Sequence, residues 1–307
     1  MKTITSKKAA RLVPDLAFDA NKYTRGVCEL VVGEPTYPGA GVLCTMAATR
    51  SGAGYVEVYT CAETAAALRV VQPSCVCWPI ESFSECIHPS SQRHSRAAVV
   101  GCGFAGCDAS VACVMDVLEN AHEPVLIDGG GLSAVATDEC KSLLQKRFVA
   151  GYPTVVTPHG GEAARIIASL NAPSEGERAA IAKAQGVPLA AADALLIARA
   201  LGVVCVLKGP DTYIADGNEE SPNDVLQLTC GTPALAKAGT GDVLAGIIGS
   251  LLAQGLAPKD ACALGAYVHA HAGVLAASDS VELCVTAEEV AAHIPRAFRA
   301  LQAKANS

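Results

Sequence analysis

Ala238-Gly239-Thr240-Gly241-Asp242 runs without an intervening charge into the apolar stretch 243–253. That order reads as a glycine loop opening a buried helix, with a carboxylate at the junction. Glycines let the backbone turn its N–H groups inward, and a helix N-terminus adds about half a positive charge, so such a junction holds a phosphate. A negative side chain beside an anion site is unfavourable unless it takes a proton from an attacking group or holds a polar substrate. The plainer reading makes Asp242 a first-turn residue worth roughly 0.3 to 1 kcal/mol against the macrodipole, with Thr240 as the N-cap. Partners elsewhere in the chain weigh on the choice.

Outward from this junction, apolar strand-like runs recur with helical segments between them, the signature of a parallel sheet covered on both faces. Strands are expected at 28–32, 55–59, 97–100, 124–127, 154–156, 203–207, 212–214 and 225–228. Helices are expected at 40–50, 63–70, 110–120, 162–170, 189–201, 258–277 and 287–303, with a last short strand at 283–285. The fold class is therefore α/β, a three-layer sandwich with a mostly parallel central sheet. The polar segment 171–186 reads as a flexible insertion and 72–95 as irregular. Residues 1–307 are expected to form one domain, with 1–26 as an N-terminal extension.

The chain has 307 residues, 51% of them hydrophobic, and can bury a large core. Its formal charge of −7 argues against a nucleic-acid partner, because phosphate backbones are bound by clustered Lys and Arg. No apolar core follows the basic start as in a signal peptide, and no stretch reads as a flanked membrane span, so a cytoplasmic protein without a membrane partner is expected. The 14 cysteines lack paired C-x-x-C spacing and read as reduced, mostly buried small hydrophobes.

In open parallel sheets, ligands bind beyond the carboxyl ends of strands. Those ends are glycine-rich here: Gly101-Cys102-Gly103, Asp128-Gly129-Gly130-Gly131 and Thr157-Pro158-His159-Gly160-Gly161-Glu162. Singly each is a turn; together with the loop before Asp242 they resemble a backbone-lined cleft. Lys208 leaves a strand into the turn Gly209-Pro210-Asp211-Thr212, either as a solvated strand-end lysine or to neutralise phosphate oxygens. His159 is a turn residue or a substrate contact. His269 and His271 lie two apart on an expected helix, point to different faces and read as structural. The Walker A pattern is absent, and Gly101-x-Gly103 lacks the context of a dinucleotide fingerprint.

Tyr37-Pro38-Gly39-Ala40, Arg50-Ser51-Gly52-Ala53-Gly54, Thr157–Glu162, Lys208–Thr212 and Ala238–Gly246 together resemble the ADP- or ATP-dependent NAD(P)H-hydrate dehydratases, of ribokinase-like fold. The resemblance implies repair of nicotinamide cofactors whose reduced ring has added water. Phosphorylating the resulting hydroxyl from ADP or ATP makes a good leaving group, and elimination restores NADH or NADPH. By the same resemblance, Asp242 is the base at the hydroxyl, Gly103 and His159 contact the hydrate, and Ala40 lines its pocket. Lys208, Gly209, Pro210, Asp211, Thr212, Gly239, Thr240 and Gly241 hold the nucleotide. Mg2+ rides on the phosphates, with Glu162 a candidate contact through water. A homo-oligomer, with a tetramer as one form, and a separate epimerase protein are also implied.

Three departures touch the hydrate pocket. The family's Asp-Ala-Asp-Ala-Leu is here Asp128-Gly129-Gly130-Gly131-Leu132, its Gly-Pro-Gly is Gly101-Cys102-Gly103, and its Asn-Pro-Gly-Met is Thr232-Pro233-Ala234-Leu235. Alternatives therefore stay open beside the lyase: a ribokinase-like small-molecule kinase using the same base, or a nucleotide-binding protein that has lost catalysis.

Overall fold

Val27, Cys28, Leu30 and Val31 are all fully buried, as successive residues must be in a strand covered on both faces. The computed structural model describes residues 1–86 and 95–305. Its described strands are β1 (Lys2–Thr3), β2 (Val27–Val31), β3 (Tyr55–Thr60), β4 (Val76–Pro79), β5 (Arg96–Val100), β6 (Val125–Ile127), β7 (Thr154–Val156), β8 (Val204–Leu207), β9 (Thr212–Asp216) and β10 (Leu226–Leu228). They form one sheet in the order β1-β10-β9-β8-β7-β6-β5-β2-β3-β4. Pairing is parallel except where β9 runs against β8 and β10.

The helices are α1 (Ser6–Leu12), α2 (Pro38–Arg50), α3 (Ala62–Val71), α4 (Phe83–Cys86), α5 (Asp108–Asn120), α6 (Leu132–Val135), α7 (Asp138–Val149), α8 (Gly160–Ala168), α9 (Glu175–Ala184), α10 (Leu189–Leu201), α11 (Thr240–Ala253), α12 (Pro258–Asp279) and α13 (Ala287–Ala305). Two cores lie on opposite faces of the sheet. On β5, Ala97 and Val99 join the core of α2, α11, α12 and α13, while Ala98 and Val100 join that of α5, α8 and α10. The three-layer α/β sandwich expected from the alternation is the architecture formed. Only α12 is long and apolar enough to cross a membrane among the described residues, and 72% of its most apolar window is buried inside the protein.

Small residues let α11 approach its neighbours. A Cβ on Gly246 would stand 2.3 Å from the Cys44 carbonyl oxygen of α2, and one on Gly249 would stand 2.2 Å from Val99 Cγ2 of the sheet. The helix is thus wedged between α2 and β5, with its N-terminus at the carboxyl edge of the strands.

Several expectations are corrected. Residues 171–186 are not a loop throughout: Ser174 and Glu177 form a capping box that opens α9. The strand expected at 283–285 is a 3-10 turn over Glu282–Cys284, because Lys237 Nζ takes the carbonyls of Leu283 and Val285 at 3.4 and 2.7 Å instead of a strand partner. Gly239, at φ +91°, is the N-cap of α11, so Thr240 is already helical and its hydroxyl donates back to Leu235 and Lys237. The stretch 72–95 contains β4 and α4; its residues 87–94 lie outside the described residues. Residues 1–26 add β1 parallel to β10 at the sheet edge.

Close packing also accounts for the triple glycine. A Cβ on Gly130 would lie 1.9 Å from the Phe104 carbonyl oxygen, and one on Gly101 would lie 2.3 Å from that of Asp128. The two loops touch backbone to backbone, and no carboxylate fits at position 130. Gly130→Ala is expected to cost about 2 to 3 kcal/mol by urea denaturation, the scale of an overpacked core. A variant as stable as the parent would contradict this packing.

Candidate active site

Four strands that neighbour one another in the sheet, β5 to β8, deliver the glycine-rich ends to one edge. Asp128 follows β6 and is 2% exposed. Its Oδ1 accepts from Lys208 Nζ at 2.7 Å and from Thr157 Oγ1 at 2.6 Å, tying the ends of β6, β7 and β8 together. Burial alone would lower the Lys208 pKa, but pairing with Asp128 outweighs it and the net shift is upward. The lysine therefore presents a full positive charge at neutral pH.

The first turn of α11 faces this pair. A Cβ on Gly241 would sit 3.5 Å from Lys208 Nζ and 3.9 Å from Asp128 Oδ2. Its absence leaves room beside N–H groups that have no partner within the helix. Asp242 is half-buried, and one donor atom each of Asp242, Asp128 and Cys102 lie within 4.8 Å of one another. Burial, then the charge of Asp128, push the Asp242 carboxyl up to about 6, against a hydrogen bond from Cys102 and the charge of Lys208. A helix-dipole cap would be held down, not up. Asp242 does lie in the first turn of α11, and there burial and Asp128 outweigh the pull of the helix terminus.

Ala40 and Gly103 come together: a Cβ on Gly103, at φ +77°, would stand 2.9 Å from the Ala40 Cβ. His159 caps α8, its Nδ1 accepting from Gly161 N at 3.0 Å, and pairs with Lys208 through a parallel bridge. Glu162 completes that capping box, accepting from His159 N at 2.8 Å. Lys208 to Thr212 form the β8–β9 turn, with Gly209 and Pro210 exposed. Asp211 turns to the neighbouring strands, accepting from Gln227 Nε2 at 2.9 Å and from the Tyr213 hydroxyl at 3.4 Å. Gly239 and Thr240 sit at the start of α11, above His269, whose imidazole is lowered to about 4 by burial and is neutral.

Sequence reasoning passed over Asp128 and Cys102 as residues of the site. The signal for Asp128 was its place immediately after an apolar strand; its partner, Lys208, is 80 residues away. Cys102 is fully buried, and a hydrogen bond with Cys44 and then burial hold its thiol protonated.

A parallel α/β sandwich with a glycine-opened helix facing its strand ends is ribokinase-like: the chain shares its fold with a ribokinase-like superfamily protein of Enterococcus faecalis, at a TM-score of 0.76 and 23% identity, covering 98% of this chain and 97% of that one. The family model for NAD(P)H-hydrate dehydratase matches residues 28–296, and the chain belongs to that family. It is 34% identical to the bifunctional NAD(P)H-hydrate repair enzyme Nnr of Mycobacterium leprae over 92% of this chain and 52% of that protein. The chain thus spans about half the length of that relative. It is 29% identical to the ADP-dependent (S)-NAD(P)H-hydrate dehydratase of Xanthomonas campestris, over 96% and 95% of the two chains. The ADP/ATP-dependent NAD(P)H-hydrate dehydratase of Bacillus subtilis, co-crystallised with ATP and Mg2+, superimposes with a TM-score of 0.77 at 25% identity, covering 98% of each chain.

The Asp242 shift has a consequence for stability. With a folded pKa near 6 against 3.8 unfolded, the ionised carboxylate opposes folding above pH 6, and this penalty disappears as the group protonates at lower pH. Relative to the parent, Asp242→Asn should gain about 1 to 3 kcal/mol between pH 5 and pH 8 in urea denaturation. A pH-independent loss of about 1 kcal/mol would restore the capping reading.

Proposed function

We propose that the chain dehydrates hydrated NADH or NADPH at the expense of ADP or ATP, restoring NAD(P)H with release of phosphate and AMP or ADP. The observation that carries this reading is the convergence of a proton acceptor poised near neutrality with a cationic anion hole: Asp242 at about 6, beside Lys208 and the first turn of α11. A general base works best when its pKa lies near the working pH.

Hydroxide is a poor leaving group, so the ring hydroxyl is first phosphorylated. Asp242 takes its proton as the oxygen attacks the terminal phosphorus, and the bond to the nucleotide breaks with its electron pair leaving on AMP or ADP. Lys208 and the N–H groups of α11 neutralise the transferring oxygens. The phosphate then departs from the ring with the carbon–oxygen pair, and a proton lost from the neighbouring carbon restores the double bond. Ala40, Gly103 and the exposed ring of His159 line the hydrate side of the cleft.

Mg2+ prefers an oxygen cage, whereas the cluster of Cys102, Asp128 and Asp242 offers a buried thiol, a carboxylate bonded to Lys208 and the carboxylate assigned here as the base. These residues do not form a cage for a resident ion; Glu162, whose Oε2 accepts from His159 N, stays the candidate contact through water. Mg2+ belongs in this reading as the counter-ion of the nucleotide, in keeping with the Bacillus relative, which was co-crystallised with ATP and Mg2+ together. The homo-oligomer stays part of the proposal, as does a cytoplasmic setting, where the free thiols of the described cysteines stay reduced.

The test is recovery of absorbance at the NADH band from hydrated NADH with Mg2+ and ADP or ATP. Recovery that requires nucleotide is expected; nucleotide binding without recovery would overturn the reading. Asp242→Asn should fold and lose about 10² to 10⁴ in turnover, and full activity would exclude it as the base. Lys208→Gln, which keeps a donor for Asp128, should bind nucleotide about tenfold more weakly by calorimetry, the scale of one lost charge-assisted contact.

A further inference from the structure

A second cationic cleft lies at the opposite edge of the sheet. Arg25 precedes β2, Arg50 ends α2 and Arg299 lies on α13, and together they line a cleft of about 450 Å³. The site at Asp242 stands at the start of α11, whereas Gln254, which lines this cleft, follows its end. The rest of that helix therefore separates the two, about 18 Å.

Against these three arginines the lining holds one carboxylate, Asp15. Among the described residues, the arginines that pair with carboxylates are Arg96, Arg178 and Arg296, and none of these lines the cleft. Arg50 has no carboxylate partner among the described residues, though its Nη1 is shut off from solvent and is not itself an open donor. Helix capping does not account for the cluster. Arg25 Nη2 serves the Gly52 carbonyl at 2.9 Å, and Gln254 Nε2 already serves those of Ser51 and Ser250, each at 3.0 Å. Arg50 lies in the last turn of α2 with no carboxylate partner among the described residues, in a chain whose net charge is −7. Leu16 and Phe298 supply apolar wall.

From this excess of arginines over carboxylates in one cleft, we propose that the cleft binds a phosphate-bearing small molecule of up to about nucleotide size. Guanidinium forks match phosphate oxygens in pairs, and the volume falls within the roughly 300 to 1,000 Å³ of ligand pockets. The site is separate from the one at Asp242, and its occupancy does not depend on the reaction proposed there.

Calorimetric titration with ribose 5-phosphate, with ribose as control, tests this in the full chain, Lys208→Gln, Arg50→Gln and Arg299→Gln. The phosphate ester should bind the parent and Lys208→Gln alike, bind both arginine variants at least tenfold more weakly, and weaken with salt; ribose should not bind. Arg299 is exposed, so its variant will fold even if Arg50→Gln does not. No binding to the parent, binding lost in Lys208→Gln but kept in Arg299→Gln, or equal binding of ribose would each overturn the proposal.

Discussion

The ion pair between Lys208 and Asp128 is the constraint on which the site depends. Asp128 is 2% exposed, and its Oδ1 accepts from both Lys208 and Thr157, at 2.7 and 2.6 Å. Removing one partner of such a buried pair typically costs about 3 to 5 kcal/mol, so the three strand ends are held in register by a contact that resists local change. The same pair sets the electrostatics of the neighbouring helix terminus. Asp128 pushes the Asp242 carboxyl up, and the charge of Lys208 opposes that shift without overcoming it.

Rigidity on the other side comes from omission of side chains. Gly246 and Gly249 bring α11 against α2 and β5 at distances no Cβ would allow, and the Gly101 and Gly130 loops meet backbone to backbone. An anion hole made of peptide N–H groups works only if those groups are already aimed when charge develops, because reorientation would consume the stabilisation it provides. Packing by small residues supplies that preorganisation. It also leaves no room for a side chain at position 130.

The strands were legible because runs such as 97–100 and 203–207 are apolar without alternation, a pattern that only a sheet covered on both faces satisfies. The junction at Gly239–Asp242 was legible for the same local reason. What could not be read was spatial: β6 and β8 are not adjacent in sequence, so the Asp128–Lys208 contact and the Asp242 shift had no local sign. Helices α1, α4, α6, α7 and α9 had no counterpart in the expected set, and the two longest of these were lost to weak periodicity. Both α7 and α9 are largely polar, and their signals lay in caps, Thr137 accepting from Cys140 N and Ser174 with Glu177.

The central claim is that a carboxylate made basic by burial and by Asp128 removes the proton from the reacting hydroxyl. The measurement that tests it most directly is the pH dependence of kcat/KM for nucleotide-dependent recovery of NADH. The account predicts an acid limb of unit slope centred near pH 6, displaced to lower pH in Asp128→Asn because the like charge is gone. A profile flat from pH 5 to 8, or an acid limb that stays in place when Asp128 is neutralised, would contradict it.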